Sequence, residues 1–263
     1  MAIPIRKPNE IAKLEKAGGI VGNTLKYLQE NIKIGMTLLE IDAMAEEFIR
    51  SHGGVPSFKG LYGFPSSVCT SLNEVVIHGI PTIQTIKEGD ILGLDIGVKY
   101  DGYYGDAAIT MPIGKISKED EALIACSKDA LYHAIKEIKE GMRFKELSHI
   151  LEQFILSRGF LPLRDYCGHG IGAKPHDEPN IPNYVDGKPN QGPKIRNGMV
   201  FCLEPMVCQK SGSPLHLADD WSVVSEDGLR TSHYEHQVAV VDGKAVILTN
   251  PTMAIGEVVA VDL

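Results

Sequence analysis

Five side chains in this sequence have the chemistry of metal ligands, and four of them stand where an acid is costly. Asp95 lies inside the apolar run Ile91-Leu92-Gly93-Leu94-Asp95-Ile96-Gly97-Val98, and Asp106 inside Tyr103-Tyr104-Gly105-Asp106-Ala107-Ala108-Ile109-Thr110. Glu204 closes Met199-Val200-Phe201-Cys202-Leu203-Glu204, and Glu235 opens a strand-like run that continues as Gln237-Val238-Ala239-Val240-Val241. Acids are depleted from strands and are seldom fully buried without a partner. Left unpaired, a buried carboxylate must neutralise itself or find a cation. The fifth side chain, His169, stands between glycines in Gly168-His169-Gly170, which allow close backbone approach.

Asp, Asp, His, Glu and Glu carry more charge than one tetrahedral zinc accepts. They suit two divalent ions that share carboxylates, typically about 3.5–4 Å apart in two-metal hydrolases. One imidazole among oxygens is compatible with Mn, Fe, Co or Zn. Such a pair would lower the pKa of a shared water and supply hydroxide at neutral pH. For the two aspartates the alternative is one protonated acid and one paired acid. The glycines around His169 are not a dinucleotide fingerprint, since position 173 is Ala and no helical pattern follows. Neither a P-loop lysine nor a Gly-x-Ser-x-Gly elbow is present. His78 and His176, taken alone, read as surface or hydrogen-bonded structural histidines. His52, His133, His149, His216, His233 and His236 read as structural or solvent-facing, with His236 on the strand face opposite Glu235.

The elements that must position these groups are legible in part. Ile11, Leu14, Gly18, Val21, Leu25 and Leu28 mark a helix with Asn9 as its expected N-cap. Thr37 and Glu40 form a capping-box pattern for a second helix, which Gly53-Gly54 stops. Ser117 opens a third, expected to end near Gly141, and Phe144, Leu147, Leu151 and Phe154 mark a fourth, expected to end at Gly159. Strands 90–99 and 102–112 read as a hairpin. With Tyr100-Asp101 as its two loop residues Asp95 would face Asp106; with Asp101-Gly102 it would face Ala108, leaving Asp106 diagonal. Both registers put the two acids on one sheet face, where like charges call for a cation.

The two halves of the chain also resemble each other. A shift of 106 residues lays Gly35, Glu40, Glu46, Ser51 and Gly53 on Gly141, Glu146, Glu152, Ser157 and Gly159, and a shift of 109 lays Gly89 to Asp95 on Gly198 to Glu204. That pattern implies two related halves, each with one metal-facing acid at a matching place. No interdomain linker is evident, so one pseudo-symmetric domain over 1–263 is expected, with halves of about 5–112 and 113–250.

Composition is that of an ordinary globular chain of 263 residues with net charge −8. No basic block supports nucleic-acid binding, and no run is long enough to span a bilayer. The N-terminal stretch is quickly charged and does not read as a signal peptide. The cysteines (Cys69, Cys126, Cys167, Cys202, Cys208) are odd in number and form no Cys-x-x-Cys pair. They suggest a reduced, cytoplasmic chain and argue against a thiolate zinc site.

Taken together, these residues resemble the type I methionine aminopeptidases, the M24 peptidases of pita-bread fold. The resemblance rests on Tyr166-Cys167-Gly168-His169-Gly170-Ile171-Gly172 followed by His176, Ile181 and Asn183-Tyr184. It also rests on Asp95 before Ile96-Gly97, Asp106 before Ala107-Ala108, Glu204 before Pro205-Met206, and Glu235 between Tyr234 and His236. It runs from about residue 5 to residue 248.

It implies an α+β fold, with antiparallel sheet covered by helices and pseudo-twofold halves around a dimetal site. It implies removal of the initiator methionine from nascent chains with a small second residue, by hydroxide activated between two divalent ions (Co, Mn, Fe or Zn). By position, Asp95 and Asp106 would bind one metal, His169 and Glu204 would complete the other, and Asp106 and Glu235 would bridge both. Glu204 would also shuttle the proton, His78 and His176 would be substrate and transition-state residues, and Phe58, Leu61, Phe64, Cys69 and Trp221 would form the methionine pocket. The sequence departs from the family at Leu61 and Pro175, where aromatic residues are common. The short interval from His176 to Glu204 excludes the type II insertion. The expected partner is the nascent N-terminus, with the ribosome by resemblance only, and the chain is expected to be a cytoplasmic monomer. Its own Met1-Ala2 start is of the kind the family trims. The competing readings are an Xaa-Pro aminopeptidase or prolidase relative, and a catalytically inactive binding protein of the same fold.

Overall fold

Four helices pair off along the chain and cover antiparallel sheets in the computed structural model, which describes residues 2–250. Helices α1 (Pro8–Asn31) and α2 (Leu38–Ser51) precede a hairpin of strands Ile91–Tyr100 and Tyr103–Pro112; α3 (Lys118–Glu137) and α4 (Phe144–Ser157) precede strands Cys167–Gly170, Val200–Leu203 and His236–Val241. Every strand pair among the described residues is antiparallel, and the architecture is the expected α+β class. The start at Met1 lies outside the described residues.

Each pair of helices buries its apolar stripe under its own sheet. Ile20, Val21, Leu25, Ile41, Ala45 and Ile49 pack on Leu92, Leu94, Ile96 and Ile109, while Leu123, Leu131, Leu147 and Leu151 pack with Phe201, Leu203, Val238 and Val240. The glycines matched by the repeat share their backbone geometry. Gly35 and Gly141 have φ of 91° and 90°, Gly53 and Gly159 of 77° and 81°, Gly89 and Gly198 of 91° and 83°. Strands Ile91–Tyr100 and Val200–Leu203 therefore start at equivalent turns, and Asp95 and Glu204 follow those turns at the same spacing, Asp95 within its strand and Glu204 just past the end of its own.

Three helix boundaries differ from expectation. α1 begins at Pro8 with Lys7 as N-cap, not Asn9. Proline is favoured at the first helical position because its missing N–H is one of the orphan donors there, and the Lys7 N–H is taken by the Glu10 carboxylate at 2.9 Å. α3 ends at Glu137 rather than near Gly141, because Lys139 pairs with Lys244 and the Gly141 N–H bonds Ile195 O at 2.8 Å. α4 ends at Ser157, two residues before the left-handed Gly159. Thr37 and Ser117 cap α2 and α3 as the sequence indicates.

The two sheets meet where the acids lie. The Glu235 N–H donates to Ala108 O at 2.8 Å and the Ala108 N–H returns to Glu235 O at 3.4 Å. Two residues after Ala108 and two before Glu235, Thr110 Oγ1 donates to His233 O and accepts from the His233 N–H, both at 2.9 Å.

Candidate metal centre

The hairpin register is the second of the two open ones. Asp95 faces Ala108, Asp106 faces Gly97, and the loop residues are Asp101 and Gly102 at φ 46° and 81°. This is the double positive φ of a tight hairpin turn, which glycine takes without steric cost. On its other side Asp95 faces Cys69. The five ligand-type side chains then converge from separate elements: Asp95 and Asp106 from the hairpin, His169 from strand Cys167–Gly170, Glu204 just past Val200–Leu203, and Glu235 just before His236–Val241.

Glycine makes the His169 strand possible. A Cβ on Gly168 would overlap Cys202 O, and one on Gly170 would overlap Glu178 O. His169 Nδ1 lies 3.0 Å from Gly170 O. A carbonyl only accepts, so the proton sits on Nδ1 and the Nε2 lone pair is free. That lone pair points at Asp106 Oδ2 (3.9 Å) and Glu204 Oε1 (3.6 Å). Burial first, then the neighbouring His176, pulls the His169 pKa down to about 4, so the ring is neutral near pH 7 and the contacts are not salt bridges.

The carboxylates behave as anions lacking a counter-ion. Burial raises Asp95 to about 7. It also raises Asp106, Glu204 and Glu235 well above the usual range, with mutual repulsion adding to each. Asp95 Oδ1, Asp106 Oδ1, Glu204 Oε1 and Glu235 Oε1 are buried and accept no hydrogen bond from the described residues. Four orphaned acceptors and one imidazole lone pair form a donor set that fits divalent cations.

All twelve residues singled out from the sequence line a single cavity of about 360 Å³: Asp95, Asp106, His169, Glu204 and Glu235, with His78, His176, Phe58, Leu61, Phe64, Cys69 and Trp221. Phe64 and Trp221 meet edge to face at 5.1 Å, and the His176 ring lies 4.5 Å from that of His169. His78 holds a φ of 59°, a left-handed conformation uncommon outside glycine. Burial, then His176 and His216, lowers its pKa to about 4.

Several residues at the site escaped the sequence reading. Tyr62, Tyr166, Cys167 and Asn180 also line the cavity, and Tyr62 stacks on His176 with ring centres 6.1 Å apart. His233, expected to be structural or solvent-facing, is buried with Nε2 3.9 Å from Glu204 Oε2. Cysteine spacing argued against a thiolate site, yet Cys202 Sγ lies with ligand atoms of Asp106, His169 and Glu235 inside a 4.8 Å cluster. Burial first, then the charge of Glu235, keeps it a thiol. The missed signal was alternation: Cys202 stands two residues before Glu204, and His233 two before Glu235, so each pair shares a strand face.

Residues 12–242 match the family model of metallopeptidase family M24. The chain is 63% identical over 251 residues to a methionine aminopeptidase of Helicobacter pylori, covering 95% of this chain and 99% of that one. It is 42% identical to methionine aminopeptidase 1 of Bacillus subtilis, over 93% of this chain and 98% of that one. The chain belongs to the type I methionine aminopeptidases of family M24. The crystal structure of the Thermotoga maritima methionine aminopeptidase superposes on this aminopeptidase with a TM-score of 0.92 at 38% identity, covering 94% of this chain and 99% of that one. Prolidase from Pyrococcus furiosus shares the fold at a TM-score of 0.76 and 23% identity, over 93% of this chain but 65% of its own. As a family member this aminopeptidase is a metal-dependent hydrolase of N-terminal residues.

Proposed function

We propose that this enzyme removes the N-terminal methionine from nascent chains whose second residue is small. In this reading Asp95, Asp106, His169, Glu204 and Glu235 would together hold two divalent ions. The ions supply Lewis acidity and lower the pKa of a water at the reacting centre. The observation that carries the reading is the single cavity, in which a floor of orphaned carboxylates meets an apolar wall.

The chain's own residues do the rest. Phe58, Leu61, Phe64, Cys69 and Trp221 hold the methionine side chain, which favours a soft apolar pocket. The acidic floor would attract a free α-amine, so cleavage would take place at the first residue. His176 donates to the oxygen of the scissile carbonyl as charge develops on it. His78 orients the substrate amide from the cavity wall. Glu204 holds the proton in transit to the leaving amine. Tyr62, itself exposed, stacks on His176 at the mouth of the cavity.

One catalytic domain with the two halves named above, a monomeric state, a cytoplasmic setting and action at the ribosome's exit complete the proposal. No described helix is long and apolar enough to cross a membrane. The deciding experiment is hydrolysis of Met-Ala-Ser against Xaa-Pro peptides after chelation and re-addition of Co, Mn, Fe or Zn one at a time. Cleavage of Met-Ala-Ser restored by at least one ion is expected. Preference for Xaa-Pro would move the chain to the prolidase side of the fold, and failure to bind metal would make it an inactive relative.

A further inference from the structure

His176 is the last residue of the loop 171–176, which joins strand Cys167–Gly170, carrying His169, to strand Asp177–Pro182. The two ends of that loop are joined by a side chain from far away in sequence. Arg6 Nη2 donates to Ile171 O at 3.2 Å, just after the first strand, and to Asp177 Oδ2 at 3.0 Å, the first residue of the second. The pair is sheltered, with side-chain exposures of 12% for Arg6 and 23% for Asp177. In such a setting a charge-assisted bond is stronger than on an open surface.

The arm that carries Arg6 is itself fixed. The Arg6 N–H donates to Gly198 O at 2.6 Å, and Gly198 takes φ 83° with the arm's backbone against it. Gly172 gives way to the guanidinium, since a Cβ there would overlap it. The opposite side of the loop is tied to the hairpin, where the Tyr104 N–H bonds Gly172 O at 2.9 Å two residues from Asp106. Asp177 is held from both oxygens, its Oδ1 accepting from the Glu178 N–H at 3.0 Å.

The geometry points to Arg6 as a positioning residue for His176: its guanidinium clips the loop shut and sets the imidazole's place over His169. Arg6 touches neither the cavity nor a ligand atom, and it acts through the loop alone. The inference rests on the reading of His176 as a substrate-side residue.

A double-mutant cycle on the metal-loaded enzyme tests it. Arg6→Ala, Arg6→Lys, Asp177→Asn, His176→Ala and the Arg6→Ala/His176→Ala pair are compared on Met-Ala-Ser, with metal content per chain measured by elemental analysis. Arg6→Ala is expected to lower kcat tenfold or more, with KM within twofold and metal content unchanged. Lysine, a single point donor, should recover part of the loss, and Arg6→Ala should have no further effect once His176 is gone. Three results overturn the inference: wild-type kcat in both Arg6→Ala and Asp177→Asn, loss of metal in both, or the same loss in the His176→Ala background. Should Arg6→Ala fail to fold, Asp177→Asn in the two backgrounds decides the question by the same criteria. Wild-type turnover in His176→Ala alone would remove the reading of that histidine, and the clip with it.

Discussion

At His169 one hydrogen bond decides the chemistry. The Gly170 carbonyl takes the Nδ1 proton, so Nε2 offers a lone pair to a pocket of carboxylates. His169→Ala and Glu204→Ala are each expected to abolish turnover. Measurable Met-Ala-Ser cleavage at wild-type rate by His169→Ala would remove it from the ligand set. His176→Ala should lower kcat by about 10²–10³-fold, the usual loss for one oxyanion donor, with metal content intact. The pH response of the metal-free chain follows from two opposed groups. His169, lowered to about 4 from 6.5, contributes stability that is present above pH 6.5 and lost as pH falls through 4. Asp95, raised to about 7 from 3.8, contributes stability that is present below 3.8 and lost as pH rises through 7. Above pH 6.5 the His169 contribution is complete while Asp95, raised to about 7, is still ionising, so the melting temperature of EDTA-treated protein should fall as pH rises through 7. Saturating Mn²⁺ should remove that fall by favouring the ionised acids. A flat or rising metal-free profile there would contradict the assigned burial of charge.

Among the elements, the hairpin 91–112 does most to build the site. Its pairing was narrowed by sequence to two registers, and the Asp101-Gly102 turn selects one. Gly97, opposite Asp106, is where the hairpin meets Phe58 of the proposed methionine pocket. A Cβ there would overlap Ser57 Oγ and the Phe58 ring. Gly97→Ala should therefore push Phe58 into the cavity and raise KM for Met-Ala-Ser while metal content stays constant. Unchanged KM would show that Phe58 is not a wall of the working pocket. Remote caps behave differently. Thr37 Oγ1 accepts from the Glu40 N–H at 3.2 Å on an exposed turn, so Thr37→Ala should cost about 1 kcal/mol in urea unfolding and leave kcat alone. Helix identities were readable from periodicity, whereas three of their ends moved by two to four residues, with Pro8 setting the start of α1 and the Lys139–Lys244 bridge the end of α3.

For the molecule as a whole, the seam between the two sheets is what turns five separate acids and bases into one site. Backbone bonds between Ala108 and Glu235 bring Glu235 beside Asp106, and the Thr110 hydroxyl locks His233 in register. Replacing Thr110 by Val keeps its shape but leaves the buried His233 N–H without its partner. The expected cost is about 1–3 kcal/mol, together with weaker binding of metal measured by titration. A variant as stable and as tight as wild type would show that the seam carries no such coupling.

Sequence alone determined that Asp95, Asp106, Glu204 and Glu235 stand in or beside apolar runs, where an unpaired carboxylate calls for a cation. It also determined the duplication, since matched turns need glycine at Gly35 and Gly141, Gly53 and Gly159, Gly89 and Gly198. The tertiary structure decided which acids meet across the seam. It also set the company they keep: His233 against Glu204, Cys202 behind Glu235 and Arg6 across the His176 loop. These are contacts between segments up to 171 residues apart. Periodicity of 2 or 3.6 fixes which face a residue takes, not what stands opposite it.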